Sequence, residues 1–435
     1  MRLFGTMEII NNNLHIGGVN AVDLAKNYGT PLYVMDEGLI RNNCRRFREH
    51  FNVAEGRNKV IYAGKAFLTI AMAQIIKEEG LGLDVVSGGE LYTAKISEFP
   101  MSKIYFHGNN KTKEEIHMGL TYGVGTFVVD NIDELKEINK IAASLNRLQP
   151  VILRVTPGVE AHTHEYIKTG QIDSKFGFTL LNNNLSNVLD EIKKMDNIYL
   201  RGLHCHIGSQ IFNTEGYKEA INVMLNLFRD IRDTKGIVLE ELNLGGGLGI
   251  YYSEGDTPMV IEEYCGDIIC EVRRVAKTLG IKEPALVIEP GRSIVGNAGV
   301  TLYTVGGVKD IPNVRRYVSV DGGMTDNIRP SLYSAKYECI LANKAEDTST
   351  NNVTISGKCC ESGDLLISHI NIPQVQVGDI LAIMSTGAYC YSMSSNYNKI
   401  PKAPVVLARE GCERLICKRE TYEDIIKNEL ALEAI

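Results

Sequence analysis

One residue placed to do covalent chemistry in this chain is a lysine. Lys65 lies in Tyr62-Ala63-Gly64-Lys65-Ala66, directly after an apolar run. A lysine at the end of a buried strand, between small residues, can be held partly desolvated, which favours the neutral amine needed for Schiff-base chemistry. Taken alone, it reads first as an ordinary solvated surface lysine. Gly245-Gly246-Gly247-Leu248-Gly249 offers backbone N–H groups to an anion such as phosphate. It is not a dinucleotide fingerprint, because Ile250 stands where the third glycine belongs, and it lacks the Gly-Lys-Ser/Thr of a P-loop. A tight strand-to-helix turn is the other reading. Arg292, in Glu289-Pro290-Gly291-Arg292, supplies positive charge for the same anion. Glu289 could keep an aromatic ring nitrogen protonated, or could pair with Arg292 or cap a helix. His206 could lie flat on such a ring. His204 and His206 alternate along one run and with His162 or His164 could bind zinc, but no cysteine or acidic partner has matching spacing, so no metal is expected.

These residues need a scaffold that brings them together. Between about residues 59 and 290, short β-rich runs alternate with amphipathic stretches. The runs are Val60–Ala63, Leu83–Val86, Ile104–Phe106, Phe127–Val129, Val151–Val155, Leu200–His204, Leu242–Leu244 and Leu286–Ile288. Helical patterns occupy Leu68–Ile76, Glu114–Leu120, Ile132–Leu145, Leu185–Met195, Tyr217–Arg232 and Ile261–Leu279. Eight strands alternating with helices predict a parallel sheet closed as a (β/α)8 TIM-like barrel, with an open doubly wound sheet as the rival. Active sites of such barrels lie at the C-terminal strand ends. Lys65 follows the first run, His107 the third, His206 the sixth, the glycine run the seventh and Glu289 the eighth; Asp84 and Arg154 lie within the second and fifth, their roles open.

After residue 295 strand-like runs follow one another: Arg316–Val320, Tyr337–Leu341, Asn352–Ile355, Ile380–Met384, Val405–Ala408 and Arg414–Lys418, then a helical stretch Tyr422–Leu432. This predicts a C-terminal antiparallel β domain, completed by an N-terminal strand in Met7–Ile16. The expected divisions are 1–34 for the N-terminal segment, 35–290 for the barrel and 291–435 for the β domain. A chain of 435 residues with 44% hydrophobic content is long enough for this. A net charge of -7 argues against a nucleic-acid partner. No secretory h-region or long apolar span is read, so no membrane association and a cytoplasmic location are expected, with the ten cysteines as free thiols.

The Tyr62–Ala66 motif resembles the lysine motif of the pyridoxal-phosphate (PLP) decarboxylases that share the alanine-racemase-like fold. His206-Ile207-Gly208-Ser209, Gly245-Gly246-Gly247 and Glu289-Pro290-Gly291-Arg292 match further motifs of that group in order. Within it, the chain is similar to the diaminopimelate decarboxylase family. That similarity is carried by His162–Ile167 with Ser174-Lys175-Phe176-Gly177, by Asp321–Asn327 with Arg329-Pro330-Ser331-Leu332-Tyr333, by Cys360-Glu361-Ser362-Gly363-Asp364 and by Gly387-Ala388-Tyr389. The resemblance runs from about residue 30 to 420. It implies PLP as cofactor, held on Lys65, with His206 on its ring, Glu289 at its nitrogen, and Ser209, Gly246, Gly247, Pro290, Gly291, Arg292 and Tyr389 around its phosphate. It implies that Arg292, Arg329, Tyr333, Glu361 and Tyr389 meet the substrate, meso-diaminopimelate, and that Cys360 assists proton delivery. It further implies a homodimer with shared active sites, Cys360 and Glu361 coming from the partner subunit.

Sister decarboxylases acting on ornithine, arginine, lysine or carboxynorspermidine, and an alanine-racemase-like enzyme, are the nearest alternatives. A non-catalytic PLP-binding protein and a phosphate-sugar barrel enzyme lie further off. Lys65→Ala is expected to abolish turnover; a near-normal rate in that variant refutes the Schiff-base assignment.

Overall fold

The computed structural model describes residues 2–51, 56–159, 174–181 and 184–432. Two compact units emerge: Asn42–Ile250 with Thr257–Ile294, and Met1–Arg41 with Tyr251–Asp256 and Val295–Ile435.

The first unit is a barrel. Its strands are Lys59–Ala63, Gly82–Val85, Ile104–Phe106, Thr126–Val129, Gln149–Thr156, Ile198–His204, Glu241–Asn243 and Ala285–Ile288, all parallel. The eighth pairs with the first through Val287 to Lys59 and Ile288 to Val60. The fourth pairs with the fifth, Phe127 opposite Val151. The circuit therefore closes, which excludes the open doubly wound sheet. Each strand lies within two residues of a run read from the sequence. Most are short and buried on both faces, so they read as apolar runs without alternation. Ile61, Tyr105, Val128, Ile152 and Val287, from five different strands, form one buried cluster, so the barrel is filled with side chains.

The six expected barrel helices are present, Ile261–Leu279 with the expected bounds. Glu37–Phe51 and Gly88–Ile96 are additional. The second of these starts at Ser87, whose side chain accepts from the Glu90 N–H. Ser-x-x-Glu is a helix-start signature, here hidden behind Gly88-Gly89, which reads as loop.

At the end of the barrel where the strands begin, buried Glu241 collects three partners. Lys59 Nζ donates to Oε2 at 2.5 Å, Tyr105 Oη donates to Oε1 at 2.6 Å, and Arg201 Nη1 lies 3.6 Å away. These residues come from the first, third, sixth and seventh strands, so the carboxylate ties the floor of the barrel together.

The second unit carries a nine-stranded sheet. Its main path runs Leu365–Ile372, Asn351–Ser356, Arg315–Val320, Gly299–Ile311, Leu32–Asp36, Val405–Arg409, Cys412–Cys417, and Ile380–Ile383 joins Cys339–Leu341 to Gly299–Ile311. Most pairings are antiparallel, but Leu32–Asp36 with Val405–Arg409, and Arg315–Val320 with Asn351–Ser356, are parallel. The 13-residue strand Gly299–Ile311 is not among the runs read from the sequence. Gly306-Gly307 interrupts it, and a register shift between Val305 and Gly307 marks a bulge there. The stretch Met7–Ile16 is a hairpin, not one strand: Glu8–Ile10 pairs with Asn13–Ile16, and Asn11 and Asn12 take left-handed φ of 50° and 64° at the turn. With Val19–Asn20 it makes a separate three-stranded sheet. The N-terminal strand that completes the large sheet is Leu32–Asp36. Leu14, Ile16, Val34, Val300, Leu302 and Val406 share its core. The expected C-terminal helix is shorter, Tyr422–Ile426.

Glu241→Gln removes the charge that Lys59 and Tyr105 address, and is expected to lower stability by about 1.5–3 kcal/mol. Urea unfolding followed by circular dichroism checks this; an unchanged midpoint refutes the floor as a stabilising element.

Candidate active site

Strand order decides which residues meet at the barrel mouth. Lys65 sits in the single 3-10 turn Gly64–Ala66 that follows the first strand, and Ala63 N–H donates to Pro290 O at 3.1 Å across the seam with the eighth. Gly64 and Ala66 are buried, but Lys65 itself is exposed. The expected partial desolvation is therefore not found. Position, not burial, distinguishes this lysine: its charge acts on Asp84, Glu90 and His206 together.

Glu289, just past the eighth strand, is the most constrained group. His107 Nε2 lies 2.8 Å from its Oε1, Asn243 Nδ2 donates to the same oxygen at 2.7 Å, and His204 Nε2 lies 3.3 Å from Oε2. The carboxyl is 7% exposed. Burial pushes its pKa up, but the His107 and His204 rings outweigh it and hold the group well below the usual carboxylate range. Burial drives His204 down to about 4, so it is neutral and donates through Nε2, leaving Nδ1 without a hydrogen bond. A carboxylate has about four acceptor positions. Three are used, and Oε2 retains one. The three ligand-capable residues lie within 4.8 Å of one another; their spacing is that of the hydrogen bonds just described. The zinc alternative grouped different residues, and His162 and His164 lie outside the described residues.

Around this anchor the mouth assembles. His206 is half-buried and neutral, driven down first by burial and then by Lys65. Its ring lies so close to Gly245 that a Cβ there would be 2.7 Å from Nδ1. A Cβ on Gly246 would be 2.3 Å from Glu289 O. The glycine run thus lets the seventh strand end against the sixth and eighth. Arg292 Nη2 donates to Ser209 Oγ at 3.0 Å, joining the cationic residue after strand eight to the hydroxyl after strand six. Asp84 is buried, its Oδ1 makes no hydrogen bond among the described residues, and burial raises its pKa. Arg154 is half-buried, with Nε 4.0 Å from Asp130 and its guanidinium 4.2 Å from the Phe176 ring centroid.

Sequence reading gave no role to His107, Asn243 or Glu90. Asn243 was a polar residue between leucines in a barrel strand, a signal in itself, since buried amides need partners. Glu90 is raised to about 7 by burial first, against the Val86 N–H bond, with Asp84 adding to the rise. It is therefore suited to exchange a proton near neutrality.

The other expected residues belong to the second unit. Arg329, 7% exposed, donates through Nη1 to Tyr337 Oη, and its guanidinium stands 5.1 Å from the Tyr252 ring, 5.8 Å from Tyr337 and 6.0 Å from Tyr389. Tyr333 is half-buried at the end of the short helix Arg329–Tyr333. Cys360 and Glu361 lie on an exposed turn held by Asp364, which accepts from Met324 and Cys359 N–H groups. Neither shares a hydrogen bond or ion pair with Arg329 among the described residues.

The residues at the mouth fit a phosphate-bearing pyridine. An accessible amine, an anionic acceptor with one free position, and a glycine-lined Ser209–Arg292 pair stand at adjoining strand ends. The class is that of the pyridoxal-dependent decarboxylases: residues 37–296 match the family described as pyridoxal-dependent decarboxylase, pyridoxal binding domain. The diaminopimelate decarboxylase of Bacillus subtilis (strain 168) is 51% identical over 420 residues, covering 97% of this chain and 96% of that one. The enzyme of the same name from Staphylococcus aureus (strain COL) is 46% identical, with 96% and 98% covered. A crystal structure of diaminopimelate decarboxylase from M. jannaschii in complex with L-lysine has a TM-score of 0.92 at 37% identity, with 98% of each chain covered. The chain belongs to the diaminopimelate decarboxylase family.

His204 makes stability depend on pH. Its pKa falls from the ordinary 6.5 to about 4 on folding. The unfolded chain therefore takes up the proton first as pH drops, and the contribution is complete above about pH 6.5 and is lost towards pH 4. Glu90, raised to about 7, works in the opposite sense: its contribution is present below about pH 4.5 and is lost as pH rises. Comparison with His204→Asn isolates the histidine. The stability difference between the two proteins should change by about 2–3 kcal/mol between pH 7 and pH 4. A constant difference would mean that His204 is not held neutral.

Proposed function

We propose that this protein decarboxylates meso-2,6-diaminopimelate to L-lysine and CO2, the last step of lysine biosynthesis, as a homodimer in the cytoplasm. Bound PLP supplies an electron sink for the carbon that loses CO2. Lys65 would hold the cofactor through its amine. Glu289 Oε2 would accept from the ring nitrogen and, being anionic, keep that nitrogen protonated. Neutral His206 would lie on the ring. Ser209, Arg292 and the N–H groups of Gly246, Gly247 and Gly291 would hold the phosphate, with Pro290 shaping the turn and Tyr389 assisting. Arg292, Arg329, Tyr333, Glu361 and Tyr389 would grip the substrate, and Cys360 Sγ would deliver the proton to the product carbon. Glu90, titrating near neutrality, is suited to carry a proton at the amine end of the site.

The observation that carries the substrate assignment is Arg329. Its guanidinium is buried, yet among the described residues no carboxylate pairs with it. Burying an unpaired charge is costly, so such a site favours an anionic ligand, and arginine suits a carboxylate. Meso-diaminopimelate has a second carboxylate to offer; ornithine and lysine, once aligned for decarboxylation, do not.

CO2 release from meso-diaminopimelate should exceed that from L-ornithine or L-lysine by a wide margin, and the reverse order sinks the assignment. The shared-site dimer has its own test. Cys360→Ala should slow turnover while PLP absorbance persists, and co-expressing it with Lys65→Ala should restore about a quarter of wild-type activity, since half of the dimers then carry one intact site. Absence of restoration, with mixed dimers present, would show that each site is complete within one chain.

A further inference from the structure

The buried guanidinium of Arg329 is enclosed by aromatic side chains. Tyr337 is 4% exposed and accepts the Arg329 Nη1 hydrogen bond, and its Oη lies 3.6 Å from Cys390 Sγ. Because the oxygen accepts from the guanidinium, its own proton is free to point at the sulfur. Tyr252 meets Tyr337 edge to face, with centroids 5.3 Å apart at 81°. Its ring stands 5.1 Å from the guanidinium carbon, within cation–π range. Tyr252 is supplied by Tyr251–Asp256, a segment that leaves the barrel sequence just after the glycine run. That segment is pinned. Tyr251 Oη donates to Glu338 at 2.9 Å, Asn297 Nδ2 donates to Tyr251 O at 2.7 Å, and the Glu254 N–H reaches Glu338 at 3.1 Å.

We propose that Tyr252 and Tyr337 are positioning residues that hold Arg329 in the orientation that selects a distal carboxylate, Tyr337 through its hydroxyl and Tyr252 through its ring face. The proposal rests on the reading of Arg329 as the carboxylate partner. An arginine side chain has considerable rotamer freedom, and a bidentate grip requires the guanidinium plane to be fixed beforehand. A hydroxyl on one edge and a ring nearby restrict that freedom without neutralising the charge, which a carboxylate partner from the protein would do. Specificity then comes from a cation that is kept positive and pre-aimed.

The test uses the PLP-loaded enzyme and two amines: L-lysine, which keeps the distal amino-acid head, and cadaverine, which lacks any carboxylate. Binding is read from the visible spectrum, alongside kcat and KM for meso-diaminopimelate. Tyr337→Phe keeps the ring and removes the acceptor; it should weaken L-lysine and raise KM about tenfold, with kcat within about twofold. Tyr252→Leu should behave likewise, and Tyr252→Phe should restore near wild-type values. Cadaverine affinity should stay constant throughout. Arg329→Gln should erase the preference for L-lysine over cadaverine. If that variant keeps the preference, the carboxylate reading of Arg329 fails. If it loses the preference while Tyr337→Phe and Tyr252→Leu keep it, the reading stands and the positioning role is overturned. Equal weakening of L-lysine and cadaverine also overturns it, since that marks general damage. Should Tyr252→Leu not fold, Tyr337→Phe decides alone.

Discussion

The hydrogen-bonded carboxylate of Glu289 is the constraint on which the barrel mouth depends. Its partners follow or end three other strands: His107 the third, His204 the sixth, Asn243 the seventh. None is near Glu289 in sequence, and only closure of the eight-strand circuit brings them within reach. Leaving a buried carboxylate unpaired would cost several kcal/mol, so fold and site are coupled: any shift of one strand end exposes the charge. Burial holds His204 neutral against the pull of the carboxylate, while the His107 and His204 rings hold Glu289 well below the usual carboxylate range. The result is an acceptor that is anionic, rigid and one hydrogen bond short of saturation.

The floor of the barrel repeats the device with a different purpose. Glu241 also gathers donors from several strands, but those partners leave it integrated into structure. The two carboxylates bracket the packed aliphatic layer of Ile61, Val128 and Ile152. In the second unit the polarity is inverted. There a cation, Arg329, is buried among aromatic faces instead of acids.

The sequence was most informative where chemistry and periodicity coincided. Most barrel strands were legible because both of their faces are apolar, and Lys65, His206, Glu289 and Arg292 stood out as candidates because each follows such a run. Asn243 and His107 were not assigned, since a hydrogen bond to a residue 46 or 182 positions away leaves no local trace. Gly299–Ile311 was missed because its glycine pair looks like a break but forms a bulge. The Met7–Ile16 hairpin was missed because Asn11-Asn12, without a glycine, is a weak turn signal that tertiary packing makes sufficient. Lys65 is exposed although Gly64 and Ala66 beside it are buried, which fits the solvated reading and not the desolvated one.

The six residues Tyr251–Asp256 belong to a different unit from the chain on either side of them. The unit that holds Arg329 is therefore assembled from three separated stretches of polypeptide, and the barrel from two. No single cut of the gene yields either piece whole. A recombination event that exchanged the C-terminal half for that of a relative would carry Arg329 and Tyr337 across but leave Tyr252 behind. Under the role proposed for Arg329, substrate preference in this protein depends on both halves of the gene, and chimeras joined near residue 295 would be mismatched at the ring that faces the arginine.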